Sequence, residues 1–195
     1  MEDLVSRETL ISRYFPERES EIRSFVDLLV GDGMLKGLIG PREGERIWER
    51  HIFNSLPVSA LIPQGASVID IGSGAGLPGI PLALARPDIS LTLIEPLQRR
   101  VDFLIEACAN LPITVLRGRA QDFKIRAEVV TARAVAPFEK LKAMSWHLLD
   151  NKGYLLAIKG HTAPAEASLV PGAHVHEIQL EGLELGRVIS LQKGA

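Results

Sequence analysis

The sequence contains a single cysteine, Cys108, among its 195 residues. One cysteine cannot form an internal disulfide and is too few for a zinc cluster. The alternating histidines His174 and His176 have no acidic or thiolate partners, so we expect no metal site. Apolar runs are short, and none approaches the roughly 20 residues that span a bilayer. The N-terminus begins acidic and lacks an apolar signal core. These features favour a cytoplasmic protein that does not bind membranes.

Neither sign of charge dominates the composition. Lys and Arg number 22 against 24 Asp and Glu, which gives a formal net charge of −2. This balance excludes a broadly polycationic nucleic-acid coat but leaves room for a local basic patch. Aromatic residues make up only 5% of the chain. Phe103, Phe138 and Trp146 lie at positions that favour packing, so we identify no stacking platform for single-stranded RNA.

The organisation of the chain changes near residue 65. Before this point, three helices are predicted, namely Leu4 to Tyr14, Glu17 to Val30, and one that Pro41 opens and that carries Trp48, His51 and Ile52. The first is weak, whereas the second has a clear apolar face. We therefore expect an N-terminal helical extension over residues 1–64 and a second unit over residues 65–195.

Strand and helix patterns alternate in the second unit. Near-continuous apolar strands are predicted at Ser67 to Ile71, Leu91 to Glu95, Ile113 to Arg117, Glu128 to Arg133 and Tyr154 to Lys159. Helices are predicted between them, at Pro78 to Ala85, Gln98 to Ala109 and Phe138 to Leu149. This alternation indicates a parallel sheet covered on both faces. The last two runs, His174 to Leu180 and Arg187 to Leu191, are too close together for a crossover helix and should pair antiparallel.

Five parallel strands and an antiparallel hairpin make a mostly parallel, seven-stranded α/β sheet. This Rossmann-like arrangement is more typical of a class I S-adenosylmethionine-dependent methyltransferase than of a nicotinamide-binding protein. A glycine-rich turn follows the first strand, where Gly72, Gly74 and Gly76 allow the backbone to turn sharply and approach a ligand. With Gly79, the last two also match the dinucleotide pattern G-x-G-x-x-G, which alone is weak evidence.

Acidic residues beside this turn favour one cofactor over the other. NAD would bring an anionic pyrophosphate next to Asp70, whereas S-adenosylmethionine brings an ammonium and a sulfonium. Glu95 ends the second strand, where an acid can accept hydrogen bonds from both ribose hydroxyls. Pro78 removes a helix N-terminal donor that a phosphate would use. S-adenosylmethionine is therefore favoured over NAD. As alternatives, Asp70 caps a helix or loop and Glu95 faces solvent.

A longer run around the turn resembles a known family. Asp70 to Pro81, above all its Leu-Pro-Gly-Ile-Pro extension, is similar to the cofactor loop of the ribosomal RNA small-subunit methyltransferase G family, also called glucose-inhibited division protein B. Further matches follow in order: Arg50-His51 with Asn54-Ser55, Arg99-Arg100-Val101 with Phe103-Leu104, Arg119 before Phe123, Arg133-Ala134, and Ala157 to Gly160. The resemblance covers about residues 40–160, and residues 37–43 look like its actinobacterial branch.

The resemblance implies methyl transfer from S-adenosylmethionine to N7 of a guanine in bacterial 16S rRNA. The partner is then the rRNA or the small ribosomal subunit, and we expect the enzyme to be a monomer. Cofactor contacts are implied at Gly72, Leu77, the Ala120-Gln121 pair and Arg133. His51 is either a contact near the methionyl end or a packed histidine. The chain departs from the family at Gln121, where many members have Glu, and at residues 37–41, which replace an Asn-Leu-Thr segment.

Three basic side chains are predicted to orient the RNA. Arg133 and Lys159 end the fourth and fifth strands and Arg119 follows the third, so all three should lie at the sheet edge that holds the cofactor. The alternative is that they form surface ion pairs with nearby carboxylates.

Guanine N7 has a free lone pair, so no general base is needed. A methyltransferase for a small molecule or protein, and a non-catalytic RNA-binding module that holds S-adenosylmethionine, remain alternatives.

Overall fold

The computed structural model describes residues 5–194, which build a seven-stranded sheet. Its strands are β1 (Ser67–Ile71), β2 (Ser90–Glu95), β3 (Ile113–Arg117), β4 (Ala127–Arg133), β5 (Leu149–Lys159), β6 (His174–Ile178) and β7 (Gly186–Gln192). The spatial order is β3-β2-β1-β4-β5-β7-β6. Strands β1 to β5 pair in parallel, and β7 runs antiparallel to both β5 and β6. The predicted mostly parallel sheet with a C-terminal antiparallel hairpin is confirmed.

Helices cover both faces of the sheet. The α-helices of the described chain are α1 (Arg7–Tyr14), α2 (Glu19–Leu28), α3 (Gly79–Ala85), α4 (Gln98–Ala107), α5 (Phe138–Ser145) and α6 (Ala163–Ser168). None of them is long and apolar enough to cross a membrane. Cys108 is buried in the core, at the end of α4, as its apolar helix face predicts.

The pleat of the strands divides the core between the two faces. Val68, Leu91, Val129 and Leu156 belong to a cluster that includes α2, α3 and α4, and Ile69, Val130, Leu155 and Ile189 to a cluster that includes α5 and α6. Because successive side chains point to opposite faces, Asp70, Glu95 and Arg133 project from the first face. Lys159 projects from the second. Strand pairing thus separates Lys159 from Arg133, although both end neighbouring strands.

The N-terminal helices belong to the core of the first face, where Ile11, Ile22 and Phe25 are buried together with the sheet residues. The third predicted helix differs. Pro41 lies in a turn, and the chain then forms 3-10 turns at Gly44–Arg46, Phe53–Ser55 and Pro57–Leu61 around a π turn at Trp48–Ile52. Glycines on both sides of Pro41 disfavour a helix start there, and Pro57 cannot donate a helical hydrogen bond. The prediction of a regular helix from Pro41 is wrong.

Other elements also differ from the sequence prediction. Helix α5 ends at Ser145 instead of Leu149 and is followed by a 3-10 turn at Trp146–Leu148. Strand β5 begins at Leu149 instead of Tyr154, and its pairing with β4 shifts register between Ala127 and Val129. Helix α6 was not predicted because its sequence, Ala-Pro-Ala-Glu-Ala-Ser, has no stripe of large apolar residues. Small side chains suffice, since Ala163 and Ala167 are buried against the second face.

Candidate functional site

The glycine turn joins the end of β1 to α3 and uses backbone angles that favour glycine. The φ angle is +64° at Gly72, +60° at Gly74 and +86° at Gly76, a region in which a Cβ causes strain. Gly72 and Gly74 are partly accessible, whereas the other residues from Ser73 to Ile80 are buried. The side chain of Leu77 lies in the core, so a cofactor contact at this position would use its backbone.

Two glycines of the turn serve the packing of α3. A Cβ at Gly76 would collide with Ile80, and a Cβ at Gly79 would collide with Leu93 and come within 2.9 Å of Asp70 Oδ2. These glycines let the helix lie close to the sheet, which is the role of the last glycine in dinucleotide-binding folds. Gly76, predicted as a cofactor contact, is buried by protein atoms on the side where its Cβ would be.

Gly72 and Gly74 have different surroundings. A Cβ at Gly72 would lie 2.8 Å from Cγ2 of Val135, whereas at Gly74 the nearest protein atom is the Gly72 carbonyl oxygen at 3.8 Å. Val135 reaches this place because Ala134, just after β4, adopts a φ of +56° and turns the chain across Gly72. The open space beside Gly74 is therefore the part of the turn at which a ligand can approach the backbone.

Asp70 is fully buried beneath the turn. Its Oδ2 accepts a hydrogen bond of 3.3 Å from the Gly79 amide, which opens α3. Its Oδ1 has no partner in the described chain, and neither has Oγ1 of Thr131, which is opposite Asp70 on β4. Burial raises the pKa of Asp70 to about 7, against the opposing effects of the Gly79 amide and the Arg133 charge. Asp70 thus caps α3 and also retains an unused oxygen.

Glu95 is also buried, with only 1% of its surface exposed, so the alternative that it faces solvent is wrong. Its Oε2 accepts the Gly74 amide at 2.9 Å and its Oε1 accepts the Leu97 amide at 3.0 Å. Arg100 places Nη1 3.7 Å from the same carboxylate. Glu95 therefore connects the glycine turn to the end of β2.

The backbone amides of the turn are largely committed to partners inside the protein. Gly72 and Ser73 donate to the Ile94 carbonyl, Gly74 to Glu95, Gly76 and Leu77 to the Ser73 carbonyl, Gly79 to Asp70, and Ile80 to the Gly76 carbonyl. Pro78 has no amide hydrogen. These bonds consume the donors with which a dinucleotide-binding turn holds a pyrophosphate.

Arg133 lies at the end of β4 on the face that the N-terminal extension covers. Its Nη1 donates to the His51 carbonyl at 3.3 Å, and its Nη2 lies 3.1 Å from His51 Nδ1. Burial lowers the pKa of Arg133, while the charge of Asp70 raises it. Within residues 5–194, Arg133 therefore forms no surface ion pair of the kind considered above, and His51 is its half-buried hydrogen-bonding partner.

The segment after β3 forms a 3-10 turn over Ala120–Asp122. The side chains of Arg119 and Gln121 are exposed. Ala120 is buried, and its carbonyl lies 3.0 Å from His147 Nε2. Arg119 is therefore exposed at the carboxyl edge of the sheet, just after β3.

Lys159 does not lie with Arg133. Its Nζ donates to the Ala136 carbonyl at 2.7 Å and pairs with Glu166 Oε2 at 2.7 Å, with 12% of the side chain exposed. The same Glu166 oxygen accepts the Phe138 amide. Lys159 points to the second face of the sheet, where it anchors the 134–137 loop to α6. It therefore does not reach the crevice from the first face, where Arg133 lies.

Two contributors to the site were not predicted. Val135 follows β4 without a motif that marks it, although its place next to Arg133 is a weak signal. Glu43 lies eight residues before His51 in an irregular segment, and its Oε2 is 2.7 Å from His51 Nε2. No periodicity connects these two positions. Residues 5–194 hold no group of three His, Cys, Asp or Glu side chains arranged for a metal ion.

The architecture has counterparts among solved structures. A methyltransferase from Pyrococcus furiosus superposes with a TM-score of 0.61 at 14% identity, covering 93% of this chain and 100% of that one. A protein from Agrobacterium tumefaciens named as a predicted O-methyltransferase gives 0.58 at 20% identity, covering 73% and 81%. Together with the strand order and the glycine turn, these similarities show the Rossmann-like fold of class I methyltransferases.

The sequence defines the family within this class. The family model described as rRNA small subunit methyltransferase G matches residues 18–192. Two proteins named Ribosomal RNA small subunit methyltransferase G are similar to this chain. The protein from Kineococcus radiotolerans is 49% identical to it over 162 residues, and the protein from Thermobifida fusca is 52% identical over 158 residues. The chain belongs to this family, and the resemblance found in its motifs is confirmed.

The relatives are longer than this chain. The matched segments cover 80% and 78% of this chain, but only 64% of the Kineococcus protein and 66% of the Thermobifida protein. The chain thus spans about two thirds of the length of these curated relatives.

Proposed function

We propose that this protein binds S-adenosylmethionine at the carboxyl ends of β1, β2 and β4 and transfers its methyl group to N7 of a guanine in bacterial 16S rRNA, in the cytoplasm. Family membership supports the substrate class. The choice of cofactor rests on the hydrogen bonds of the glycine turn. Its backbone amides donate to acceptors inside the protein, two of which are buried carboxylates. Such a turn favours a cationic ligand over a phosphate.

Three features of the structure fit this cofactor. Apart from Gly74 and its two chain neighbours, no atom of the described chain lies nearer than 3.8 Å to a Cβ added at Gly74. The buried Asp70 Oδ1 has no hydrogen-bond partner among residues 5–194 and would stabilise a positive charge nearby. Each oxygen of Glu95 already accepts one amide and keeps a second lone pair for a ribose hydroxyl. When bound, S-adenosylmethionine supplies an electrophilic methyl group on a sulfonium.

The protein's own task is to position the base. Guanine N7 has a lone pair at neutral pH, so no residue must remove a proton, and holding N7 in line supplies rate. The reaction moves positive charge toward the base, so a guanidinium directly against N7 would oppose it. We assign Arg133 and Arg119 to guanine O6 or to RNA phosphates, where a cation is favourable.

The test uses small ribosomal subunits that lack the modification. Purified protein is incubated with methyl-labelled S-adenosylmethionine and subunits from a strain without the family gene. Subunits from the parent strain, already modified, are the matched control. We expect label only in the first sample, at one guanine that becomes sensitive to borohydride and aniline cleavage. Label in ribosomal protein, or binding without transfer to any ribosomal substrate, would favour the alternative functions. Preferential NAD binding would overturn the cofactor.

A further inference from the structure

A chain of hydrogen bonds through Glu43, His51 and Arg133 connects the N-terminal extension to the candidate site. Glu43 Oε2 lies 2.7 Å from His51 Nε2, and His51 Nδ1 lies 3.1 Å from Arg133 Nη2. The His51 carbonyl accepts two further side-chain bonds, from Arg133 Nη1 and from Ser55 Oγ at 2.6 Å. It can do so because the π and 3-10 turns interrupt regular helical bonding at this position.

The chemistry of the partners fixes the state of the imidazole. An arginine has only donors, so His51 Nδ1 must accept with its lone pair. A carboxylate such as Glu43 accepts, so His51 Nε2 must carry the proton. His51 is therefore neutral, in the Nε2–H tautomer, when this chain of hydrogen bonds is complete. A protonated ring would present Nδ1–H to the Arg133 guanidinium, donor against donor and cation against cation.

We infer that His51 and Glu43 are positioning residues that hold the Arg133 guanidinium for the RNA, and that protonation of His51 releases it. The inference rests on the proposed function, because it assigns Arg133 to substrate orientation. It gives the N-terminal segment a role in activity: the segment supplies the acceptors that aim an arginine of the sheet.

The charges around His51 decide the pH at which the contact fails. Glu43 faces its Nε2, Arg50 precedes it on the same turn, and Arg133 faces it from β4 with Asp70 behind. Burial lowers the pKa of His51 below its usual 6.5, with Arg133 and Arg50 acting in the same direction and Glu43 opposing them. Activity should therefore decline on the acid side of pH 6.5, separately from any change caused by Asp70, whose pKa is about 7.

Two amide substitutions separate the two ring nitrogens. In His51→Asn, the side-chain oxygen lies near the former Nδ1 and can still accept from Arg133. In His51→Gln, the amide lies near the former Nε2 and can only serve Glu43. We expect His51→Asn to keep kcat at pH 8 within about threefold, and His51→Gln to lose about tenfold, the effect of one hydrogen bond to a charged group. Thermal unfolding of both variants checks that they fold.

The pH profile of kcat gives the deciding readout. His51→Asn should lose the wild-type decline below pH 6.5. Glu43→Gln should move that decline to lower pH, because the carboxylate that favours protonation is gone. Glu49→Gln is the matched control: Glu49 lies in the same π turn but pairs with Arg7 at 2.7 Å, and its profile should not change.

The outcomes separate this inference from the proposed function. Failure of the wild-type protein to methylate any RNA overturns the proposed function. If the wild type is active but His51→Asn keeps the same acid decline, or His51→Gln is as active as His51→Asn at pH 8, the positioning role of His51 is wrong and the proposed function stands.

Discussion

The amide of Gly74 donates a hydrogen bond of 2.9 Å to Oε2 of Glu95. This bond joins the glycine at which an added Cβ would meet open space to the end of the neighbouring strand β2. Because the other Glu95 oxygen accepts the Leu97 amide, one buried carboxylate sets the spacing between two loops on either side of the proposed cofactor crevice. The position of Gly74 thus depends on a residue 21 positions away.

The first prediction concerns this carboxylate. In Glu95→Gln, a single amide oxygen replaces two acceptors, and the new NH₂ group faces a backbone N–H. A buried donor left without a partner destabilises a protein by about 1–3 kcal/mol. We expect a loss of this size in urea unfolding and a weaker Kd for S-adenosylmethionine in calorimetry.

Glu128→Gln is the matched control for this change. Glu128 also accepts a backbone amide of the sheet, from Ser67 at 3.0 Å, but is exposed at the start of β4. Its free energy of unfolding should change by less than about 0.5 kcal/mol, with cofactor affinity unaffected. Equal effects of the two substitutions would contradict the role assigned to Glu95.

The second prediction separates backbone strain from ligand contact. Gly74 and Gly65 have φ angles of +60° and +71°, and neither has a side-chain atom within 4 Å of an added Cβ. Alanine at either position should therefore lower the free energy of unfolding by a similar amount, about 1–2 kcal/mol. Only Gly74→Ala should weaken S-adenosylmethionine binding, by about tenfold or more, or at least 1.4 kcal/mol. Calorimetry on both variants tests this, and undiminished affinity in Gly74→Ala would place the cofactor elsewhere.

The sheet was predictable because its physical signals are local. The buried central strand Ser67–Ile71 and the edge strand Ile113–Arg117 are short runs rich in apolar residues between helices and turns, and both were predicted with their observed ends. The segment from Pro41 to Leu61 was not predictable in this way. Its π and 3-10 turns are stabilised by long-range contacts such as that of His51 with Arg133, which no local pattern contains.

The candidate site was predictable to the level of strand ends. The positions of Arg133 and Lys159 at neighbouring carboxyl ends suggested one shared crevice, yet Arg133 pairs in register with Ile158. Lys159 is one residue further and so faces the opposite side of the sheet. Register between strands depends on tertiary packing, and a shift of one residue exchanges the faces. Sequence alone therefore could not assign these two side chains to different faces.

The third prediction concerns the pH dependence of stability. The pKa of Asp70 is about 7, against an ordinary value of 3.8. Between these values the unfolded chain has released the proton that the folded chain retains, so this group makes stability fall as pH rises, and the effect levels off above pH 7. The full effect is on the order of 4 kcal/mol. Asn at this position cannot ionise. The free energy of unfolding of Asp70→Asn, measured in urea, should therefore increase relative to that of the wild type as the pH rises from 4 to 7.

The same substitution should have the opposite effect on the cofactor. A cationic ligand beside Asp70 favours its ionised form, so binding near pH 7 should release a proton from the wild-type protein. Calorimetry in buffers of different ionisation enthalpy measures this release, and Asp70→Asn should show neither the release nor full affinity. A stability difference between the two proteins that stays constant with pH would contradict the ionisation assigned to Asp70.

The fourth prediction tests whether Lys159 anchors the protein or contacts RNA. Lys159 and Glu166 are 12% and 21% exposed and 2.7 Å apart. Replacing either partner with Ala should destabilise the fold by about 2 kcal/mol, and the double variant should lose less than the sum of the two. The KM for small subunits should change by the same factor in Lys159→Met and Glu166→Gln. A much larger increase for Lys159→Met would show that the lysine binds RNA.

The fifth prediction places the RNA at the carboxyl edge of the sheet. Arg119 and Arg126 are both exposed and belong to the segment between β3 and β4, but Arg119 follows the carboxyl end of β3 while Arg126 precedes the amino end of β4. Each change to Gln removes one positive charge, so general attraction for RNA falls equally. A direct phosphate contact adds a local term: its loss reduces the slope of log affinity against log salt by about 1. We expect that reduction in Arg119→Gln alone, measured by filter binding of labelled 16S rRNA across a salt series, with unchanged S-adenosylmethionine affinity in both variants. Equal slopes for the two variants would mean that the RNA does not contact Arg119.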